Sequence, residues 1–263
     1  MESARERQNL TAVAGESGTT MTGAWYARRG GRAAELLTIL HPPYTAMVLC
    51  YVALGAVVAP HPDTAALAWT LAAFVLGLGI GAHALDQLSG RPWGESLGRA
   101  ELVALAAVGL GGGVAIGIGL AAARSWWILV FVALEAFFAV AYNLDRLFHG
   151  RFHRDGWFMF SWGALPFLSS YFIQTGELTA AVAALAAALA GTAGLEITLS
   201  RWVKAQRRAG ARLTLESPDG SRREITTREL IARPQRALLL VVGTTYVLTA
   251  AIVVMRLSGV VAP

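Results

Sequence analysis

Residues 79–93 of the chain read Gly79-Ile-Gly-Ala-His-Ala-Leu-Asp-Gln-Leu-Ser-Gly-Arg-Pro-Trp93. They end an apolar run that is long enough to cross a bilayer as a helix. In the last turns of that helix, His83 and Asp86 are three residues apart and therefore share one face. Because an imidazole and a carboxylate are costly within a membrane helix, we interpret the pair as a candidate functional site. The alternative is that both side chains are solvated at the headgroup level and only terminate the helix.

The composition is that of a polytopic membrane protein. Of 263 residues, 55% are hydrophobic and 15% are charged, whereas soluble domains have roughly 25% charged residues. The single cysteine, Cys50, excludes a disulfide framework. The net charge is +5, and the arginines cluster at helix ends without interleaved aromatic residues. We therefore expect the protein to lie in a lipid bilayer and to bind no nucleic acid.

The hydropathy pattern predicts an all-α fold with about seven membrane-spanning helices, at 36–59, 65–85, 101–122, 126–144, 157–173, 178–199 and 237–257. The third span contains six glycines, which we interpret as helix-packing residues. This pattern predicts four segments. They are a flexible tail (1–34), the first six helices (35–210), a hairpin with its connector (211–233), and the last helix with a short tail (234–263).

The distribution of basic residues predicts the orientation. With the N-terminus in the cytoplasm, 20 arginine and lysine residues lie inside, and only Arg124 and Arg256 lie outside. This asymmetry indicates an integral protein of the cytoplasmic membrane with its C-terminus outside. The segment 211–227 is too polar to insert, and its Ser217-Pro-Asp-Gly220 turn predicts a small cytoplasmic β-hairpin. We favour a solubilising excursion over a lid for this hairpin.

Spans two, four and six all end at the predicted cytoplasmic surface with polar residues of reactive types. Span four carries Glu135 in mid-membrane, where a carboxylate needs a polar cavity or a partner. The residues Tyr142, Asp145 and Arg146 follow at its end. Span six ends with Glu196, Ser200 and Lys204 at i, i+4, i+8 spacing, which places them on one face. Each loop arginine alone is explained by topology, and His149 with His153 lacks a third metal ligand.

These patterns together resemble the UbiA superfamily of intramembrane prenyltransferases. The end of span two, with Arg91-Pro92 and Glu101 after it, resembles the first Asp-rich motif of the family and the helix start that follows. Tyr142-Asn-Leu-Asp-Arg146 and Ser161-Trp-Gly-Ala-Leu-Pro166 resemble its Tyr-containing helix end and its Trp-Gly helix. Glu196 to Lys204 falls where the second Asp-rich motif belongs. The first motif keeps one carboxylate, Asp86, the second keeps Glu196, and the family usually has nine spans.

The resemblance implies a UbiA-like bundle that moves or ionises an isoprenoid diphosphate toward a lipophilic or aromatic acceptor. It implies that Asp86 and Glu196 hold Mg²⁺ and that Tyr142 stabilises an allylic cation. It further implies that His83 acts as a base and that the headgroup contacts lie at Arg91, Asp145, Arg146, Ser200, Arg201 and Lys204. A one-metal site, a metal-free site using Arg201 and Lys204, and a degenerate lipid- or quinone-binding protein without transferase activity all stay open. Transport ranks last, because only Glu135 lies near the midplane.

Overall fold

The structure is a computed structural model of the chain, and it describes residues 26–27, 31–90, 96–210 and 212–260. At Asp145 and Arg146 it describes only the backbone. The helices are α1 (Gly31–Ile39), α2 (Pro42–Val57), α3 (Thr64–Phe74), α4 (His83–Gly90), α5 (Arg99–Ala123), α6 (Ile128–Asn143), α7 (Asp155–Phe158), α8 (Leu165–Thr175), α9 (Ala180–Ala209) and α10 (Thr227–Leu257). A π-helix, Val75–Ala82, joins α3 to α4, a second, Met159–Ala164, joins α7 to α8, and a 3₁₀ turn covers Asp145–Phe148.

Five helical stretches in the described part are long and apolar enough to cross a membrane, which supports a membrane protein. They are Gly31–Val57, Thr64–Gly90, Arg99–Ala123, Ala180–Ala209 and Thr227–Leu257. The predicted seven spans are not confirmed. The helix α6, at the place of the fourth, has 16 residues, or about 24 Å at 1.5 Å per residue, against about 30 Å of hydrocarbon. The fifth is helical over 155–175 but buries Ser161, Ser169 and Ser170.

Glycine contacts bring α5 against the π-helix that precedes α4. A Cβ atom at Gly109 would lie 2.6 Å from the backbone nitrogen of Gly81, and one at Gly81 would lie 2.8 Å from that of Leu110. Close backbone approach of this kind is how small residues hold helices together in lipid. The packing interpretation is therefore confirmed at Gly109. It is wrong at Gly111 and Gly119, where a Cβ would meet nothing within 4 Å.

The two apolar clusters with the most buried residues lie on either side of α8. One packs α2 against α8, α9 and α10 and includes Tyr51 and Phe167, and the other lies around Phe138, Tyr142 and Trp162. The helices α2 and α8 approach closely, since a Cβ at Gly55 would lie 2.4 Å from the carbonyl oxygen of Phe167.

The two arginines predicted outside both bind the chain segment between α2 and α3. The guanidinium of Arg124 pairs with Asp63 and donates to the Ile173 carbonyl over 3.2 Å. The guanidinium of Arg256 donates to the carbonyl oxygen of Ala59 over 3.0 Å. Both arginines therefore join neighbouring helices at the same end of the bundle, where α2 is connected to α3.

The hairpin forms as predicted. Strands β1 (Leu213–Glu216) and β2 (Arg222–Ile225) pair antiparallel with Leu213 opposite Ile225, and Gly220 supplies the positive φ of the turn. Both strands are exposed except for the half-buried Ile225. The connector expected up to residue 233 is helical instead. The helix α10 begins at Thr227 because Thr226 caps it by accepting from the Glu229 N–H, while the Glu229 carboxylate accepts from the Thr226 N–H.

Candidate functional site

Polar side chains from Tyr26, from the start of α2 and from α4 and α9 lie near one another at the end of the bundle where α9 and α10 meet the hairpin. We call them the polar cluster: Tyr26, His41, Tyr44, His83, Asp86, Glu196 and Lys204. The rings of His41 and His83 contact each other at a tilt of 30° with centroids 4.4 Å apart, although they are 42 residues apart in the chain. The ring of Tyr26 lies 5.6 Å from that of His41, and the ammonium of Lys204 lies 6.0 Å from the centre of the Tyr44 ring.

The two histidines are each fixed in one tautomer by a backbone carbonyl. The Nδ1 atom of His41 lies 2.6 Å from the oxygen of Ile39, and that of His83 lies 3.1 Å from the oxygen of Gly79. Because a carbonyl oxygen only accepts, we assign the proton of each neutral ring to Nδ1. Nε2 is then the basic nitrogen of His83, as a general base at this position requires.

The backbone around these histidines is irregular at both positions. His41 precedes Pro42-Pro43 at the start of α2 with a left-handed φ of 46°. His83 follows directly on the π-helix Val75–Ala82, and π-helical turns occur frequently at functional sites. The irregular backbone at each position turns an imidazole toward the same buried space, where His41 is 7% and His83 is 9% exposed.

The helix α9 supplies the carboxylate of Glu196 and the ammonium of Lys204 to the cluster. Glu196 and Ser200 are buried at 5% and 2% exposure, and Lys204 is half-buried one turn further on. The predicted shared face is therefore present. The charge of Lys204 acts on Glu196, on Asp86 and on both imidazoles, so one ammonium interacts with both carboxylates that were predicted to share a metal ion.

Tyr26 closes the cluster from the N-terminal side. Burial, together with the neighbouring Tyr44, Glu196 and Asp86, raises the pKa of Tyr26 well above its usual value. Its hydroxyl therefore stays protonated at every physiological pH. A protonated phenol beside two imidazoles and an ammonium gives the cluster several hydrogen-bond donors.

Tyr142 and Arg201 border the cluster but are engaged with each other. The Tyr142 hydroxyl accepts from the guanidinium of Arg201 over 2.9 Å, and Arg201 also pairs with Asp155. The Tyr142 ring stacks on His153 at 4.6 Å, and the Nδ1–H of His153 donates to the Tyr142 carbonyl. Arg201 thus joins α9 to α6 and α7, and His153 packs on Tyr142. The charge of Glu196 also acts on Tyr142.

Asp86 and Glu196 are the two carboxylates that the resemblance assigns to Mg²⁺, and the charge of Lys204 acts on both. Magnesium prefers several oxygen ligands in octahedral geometry. No group of three or more His, Cys, Asp or Glu side chains suited to a metal ion occurs among the described residues. The magnesium site and the metal-free alternative both stay predictions.

Three predicted contact residues fall where the structure gives no side chain. Arg91 lies outside the described residues, as do the side chains of Asp145 and Arg146, whose backbone forms the 3₁₀ turn. Glu135 is described and is not part of the polar cluster. It lines an apolar cavity.

His41, Tyr44 and Tyr26 were not among the predicted site residues. The predicted residues lie at the ends of helices, whereas these three lie at or before the start of α2. With the N-terminus inside, the first span begins at the predicted cytoplasmic surface, so His41-Pro-Pro-Tyr44 carried the necessary signal. Glu35 was also not predicted. It is a 6% exposed carboxylate that accepts from Gln87 over 3.4 Å and from the N–H of Ser96 over 2.7 Å. This network ties α1 to the end of α4.

Comparison of the chain with protein-family models, with curated proteins and with solved structures found no match. The UbiA resemblance and the roles that it implies therefore stay predictions.

Proposed function

We propose that the chain is a UbiA-like enzyme of the cytoplasmic membrane that binds an isoprenoid diphosphate at the polar cluster and moves or ionises its prenyl chain. In this proposal α6 and the helical stretch 155–175 complete a seven-helix bundle, and the cluster faces the cytoplasm. The observation that carries the proposal is the position of Lys204. The charge of its ammonium acts on two carboxylates, Glu196 and Asp86, and on two imidazoles, His41 and His83.

Such a site suits a ligand with a charged head and a hydrocarbon tail. Lys204 takes the role that Mg²⁺ has in the resemblance, because its ammonium stabilises the negative charge that develops on the diphosphate. Asp86 and Glu196 hold the ammonium in place. The tail lies along the aromatic rings beside the cluster, of which Tyr142, Phe158 and Trp162 pack within 5.5 Å of one another.

The chemistry then needs three events. The bond between the allylic carbon and the diphosphate oxygen breaks, and its electron pair leaves with the diphosphate. The faces of Tyr26 and Tyr44 stabilise the allylic cation. An acceptor forms the new bond to that carbon and loses a proton to Nε2 of His83, the basic nitrogen of the assigned tautomer.

A second candidate is a lipid- or quinone-binding protein without transferase activity. The observation that favours it is the balance of charge in the cluster. One ammonium faces two carboxylates, and the neighbouring Arg201 is already engaged with Asp155 and Tyr142. A carbonyl headgroup can accept from Lys204 or Tyr26 without adding charge to this balance.

The chain offers a direct test, because Lys204 is its only lysine. Reductive methylation with ¹³C places an NMR label on Lys204, with the N-terminal amine as the only other target. We expect geranylgeranyl diphosphate to shift the Lys204 signal of the protein in nanodiscs with EDTA present. Lys204→Gln is expected to weaken binding more than tenfold, while Arg212→Gln on the exposed hairpin leaves it unchanged. Binding that requires Mg²⁺, or a Lys204→Gln variant with wild-type affinity, contradicts the proposal.

Turnover separates the two candidates. The enzyme is expected to release diphosphate from the bound substrate when membrane lipids or aromatic acceptors are supplied. His83→Asn, which keeps a side-chain hydrogen bond but removes the basic nitrogen, is expected to bind the substrate and lose turnover. Tight binding of a quinone with no binding of prenyl diphosphates of several lengths favours the second candidate and removes the first.

A further inference from the structure

A partly open cavity lies between α3, α5, α6 and α8. Its walls are mostly apolar and include Phe74, Phe131 and Phe138. The lining that the structure describes contains none of the residues of the polar cluster. The two spaces are therefore distinct, although Ala82 in this cavity wall directly precedes His83.

One carboxyl group faces this apolar cavity. The Oε1 atom of Glu135 is inaccessible to solvent and has no hydrogen-bond partner among the described residues. An unsatisfied buried oxygen is costly, because the group has lost its water without gaining a replacement. Such an atom in a cavity wall indicates that something else supplies the missing donor.

The three hydroxyls of the cavity do not supply that donor. Those of Thr70, Ser161 and Ser169 donate to carbonyl oxygens three or four residues earlier, at 2.7, 2.6 and 3.1 Å. Each hydroxyl has one hydrogen, so only its lone pairs are left toward the cavity. A ligand that brings a donor therefore matches Glu135 and these hydroxyls.

The backbone at the cavity is irregular in the way that binding sites frequently are. Both π-helices of the described chain contribute to its lining, Val75–Ala82 through Gly77 and Leu78, and Met159–Ala164 through Ser161 and Trp162. π-Helices are rare and occur frequently at functional sites. This second observation is independent of Glu135 and marks the same space.

We propose that this cavity binds a lipophilic molecule whose polar group donates a hydrogen bond to Glu135, such as a long-chain alcohol, phenol or amine. The apolar walls hold the hydrocarbon part, and Oε1 of Glu135 accepts from the hydroxyl or amine. The proposal does not depend on the diphosphate site, because the two spaces share no described residue.

The test compares two probes that differ only in the donor. An aliphatic alcohol that carries a diazirine is photocrosslinked to the protein in nanodiscs, and labelled peptides are identified by mass spectrometry. 1-Decanol and 1-methoxydecane then compete with the label at equal concentrations in the bilayer. Because a hydrogen bond to a neutral carboxyl group is worth a factor of about 2–10 in affinity, we expect 1-decanol to compete about 2–10 times better.

Three variants make the result specific. Glu135→Leu is expected to remove the preference for the alcohol while the ether still competes, and Glu177→Leu, the same change at an exposed loop residue, leaves the preference intact. Ala136→Phe fills the cavity and is expected to abolish labelling of α6 without touching Glu135. A wild-type protein that does not distinguish alcohol from ether overturns the proposal, as does a preference that survives Glu135→Leu. Thermal unfolding of each variant shows that the comparison uses folded protein.

Discussion

The substitution of two glycines on one helix gives a sharp test of how this bundle is packed. Gly109 and Gly111 both lie on α5, two residues apart, and alanine at either adds a single methyl group. At Gly109 the new Cβ atom would lie 2.6 Å from the Gly81 nitrogen and 2.6 Å from the Leu76 carbonyl oxygen, whereas at Gly111 it would meet nothing within 4 Å. The two variants should therefore have opposite effects on stability.

The magnitudes follow from two opposing contributions. Alanine in place of glycine within a helix gains about 0.5–1 kcal/mol, because the unfolded chain loses conformational freedom. Overpacking a close contact costs about 1–3 kcal/mol, and the upper part of that range applies at Gly109 because its neighbours are backbone atoms. We expect Gly109→Ala to destabilise the protein by roughly 1–2 kcal/mol and Gly111→Ala to stabilise it by up to about 1 kcal/mol.

The assay is unfolding in mixed micelles with increasing SDS, followed by the fluorescence of the eight tryptophans. Gly119→Ala, also on α5 and also without neighbours within 4 Å, is a second control for the helix effect alone. The strain at Gly109 reaches the π-helix before His83, so Gly109→Ala should also weaken ligand binding at the polar cluster. Equal effects of Gly109→Ala and Gly111→Ala on stability would refute the close packing of α5 on this π-helix.

The other predictions concern three polar contacts. The N–H groups of Ala66 and Ala65 and the Arg124 guanidinium hold the pKa of Asp63 below its usual value. Asp63 therefore stabilises the fold at neutral pH, and this contribution is lost as pH falls below about 4 and through the lowered pKa. Thermal midpoints between pH 6 and 3 should fall less for Asp63→Asn, which cannot titrate. Tyr142→Phe, which removes the bond from Arg201, should cost about 0.5–1.5 kcal/mol in SDS unfolding, with ring stacking retained. Lys204→Met should cost roughly 0.5–3 kcal/mol because it removes the positive charge that acts on the buried Glu196, and adding Glu196→Leu should recover part of that loss; additive losses in this double-mutant cycle contradict the interaction.

The membrane-spanning character and the hairpin could be predicted from the sequence because each depends on local pattern. Apolar runs of membrane length require helices, and Ser217-Pro-Asp-Gly220 requires a turn, whatever the remainder of the chain does. The number of spans could not be predicted in the same way. A run such as 126–144 is apolar over its whole length, but the helix within it covers Ile128–Asn143, because the Ser125-Trp126-Trp127 turn takes up its start.

The candidate site was predictable only in part, for a related reason. Spacing on one helix showed that Glu196 and Lys204 share a face, since that follows from 3.6 residues per turn. Contacts between residues of different helices show no regular spacing in the sequence, so they could not be predicted in this way. The contact of His41 with His83 and the bond from Arg201 to Tyr142 depend on how α2, α4, α6 and α9 pack. Asp155 and Tyr142 engage the guanidinium of Arg201, and its headgroup contact stays a prediction.

Glu196 and Glu135 differ in their surroundings in a way that bears on function. Glu196 is buried at the polar cluster, where the charges of Lys204 and Arg201 act on it. Glu135 lies among apolar side chains and hydroxyls that donate elsewhere, and its Oε1 has no partner among the described residues. A carboxylate balanced by fixed protein charges suits a site where a polar headgroup is bound and protons move. A carboxylate without such balance needs its donor from a ligand, so the two residues define two sites that take chemically different molecules.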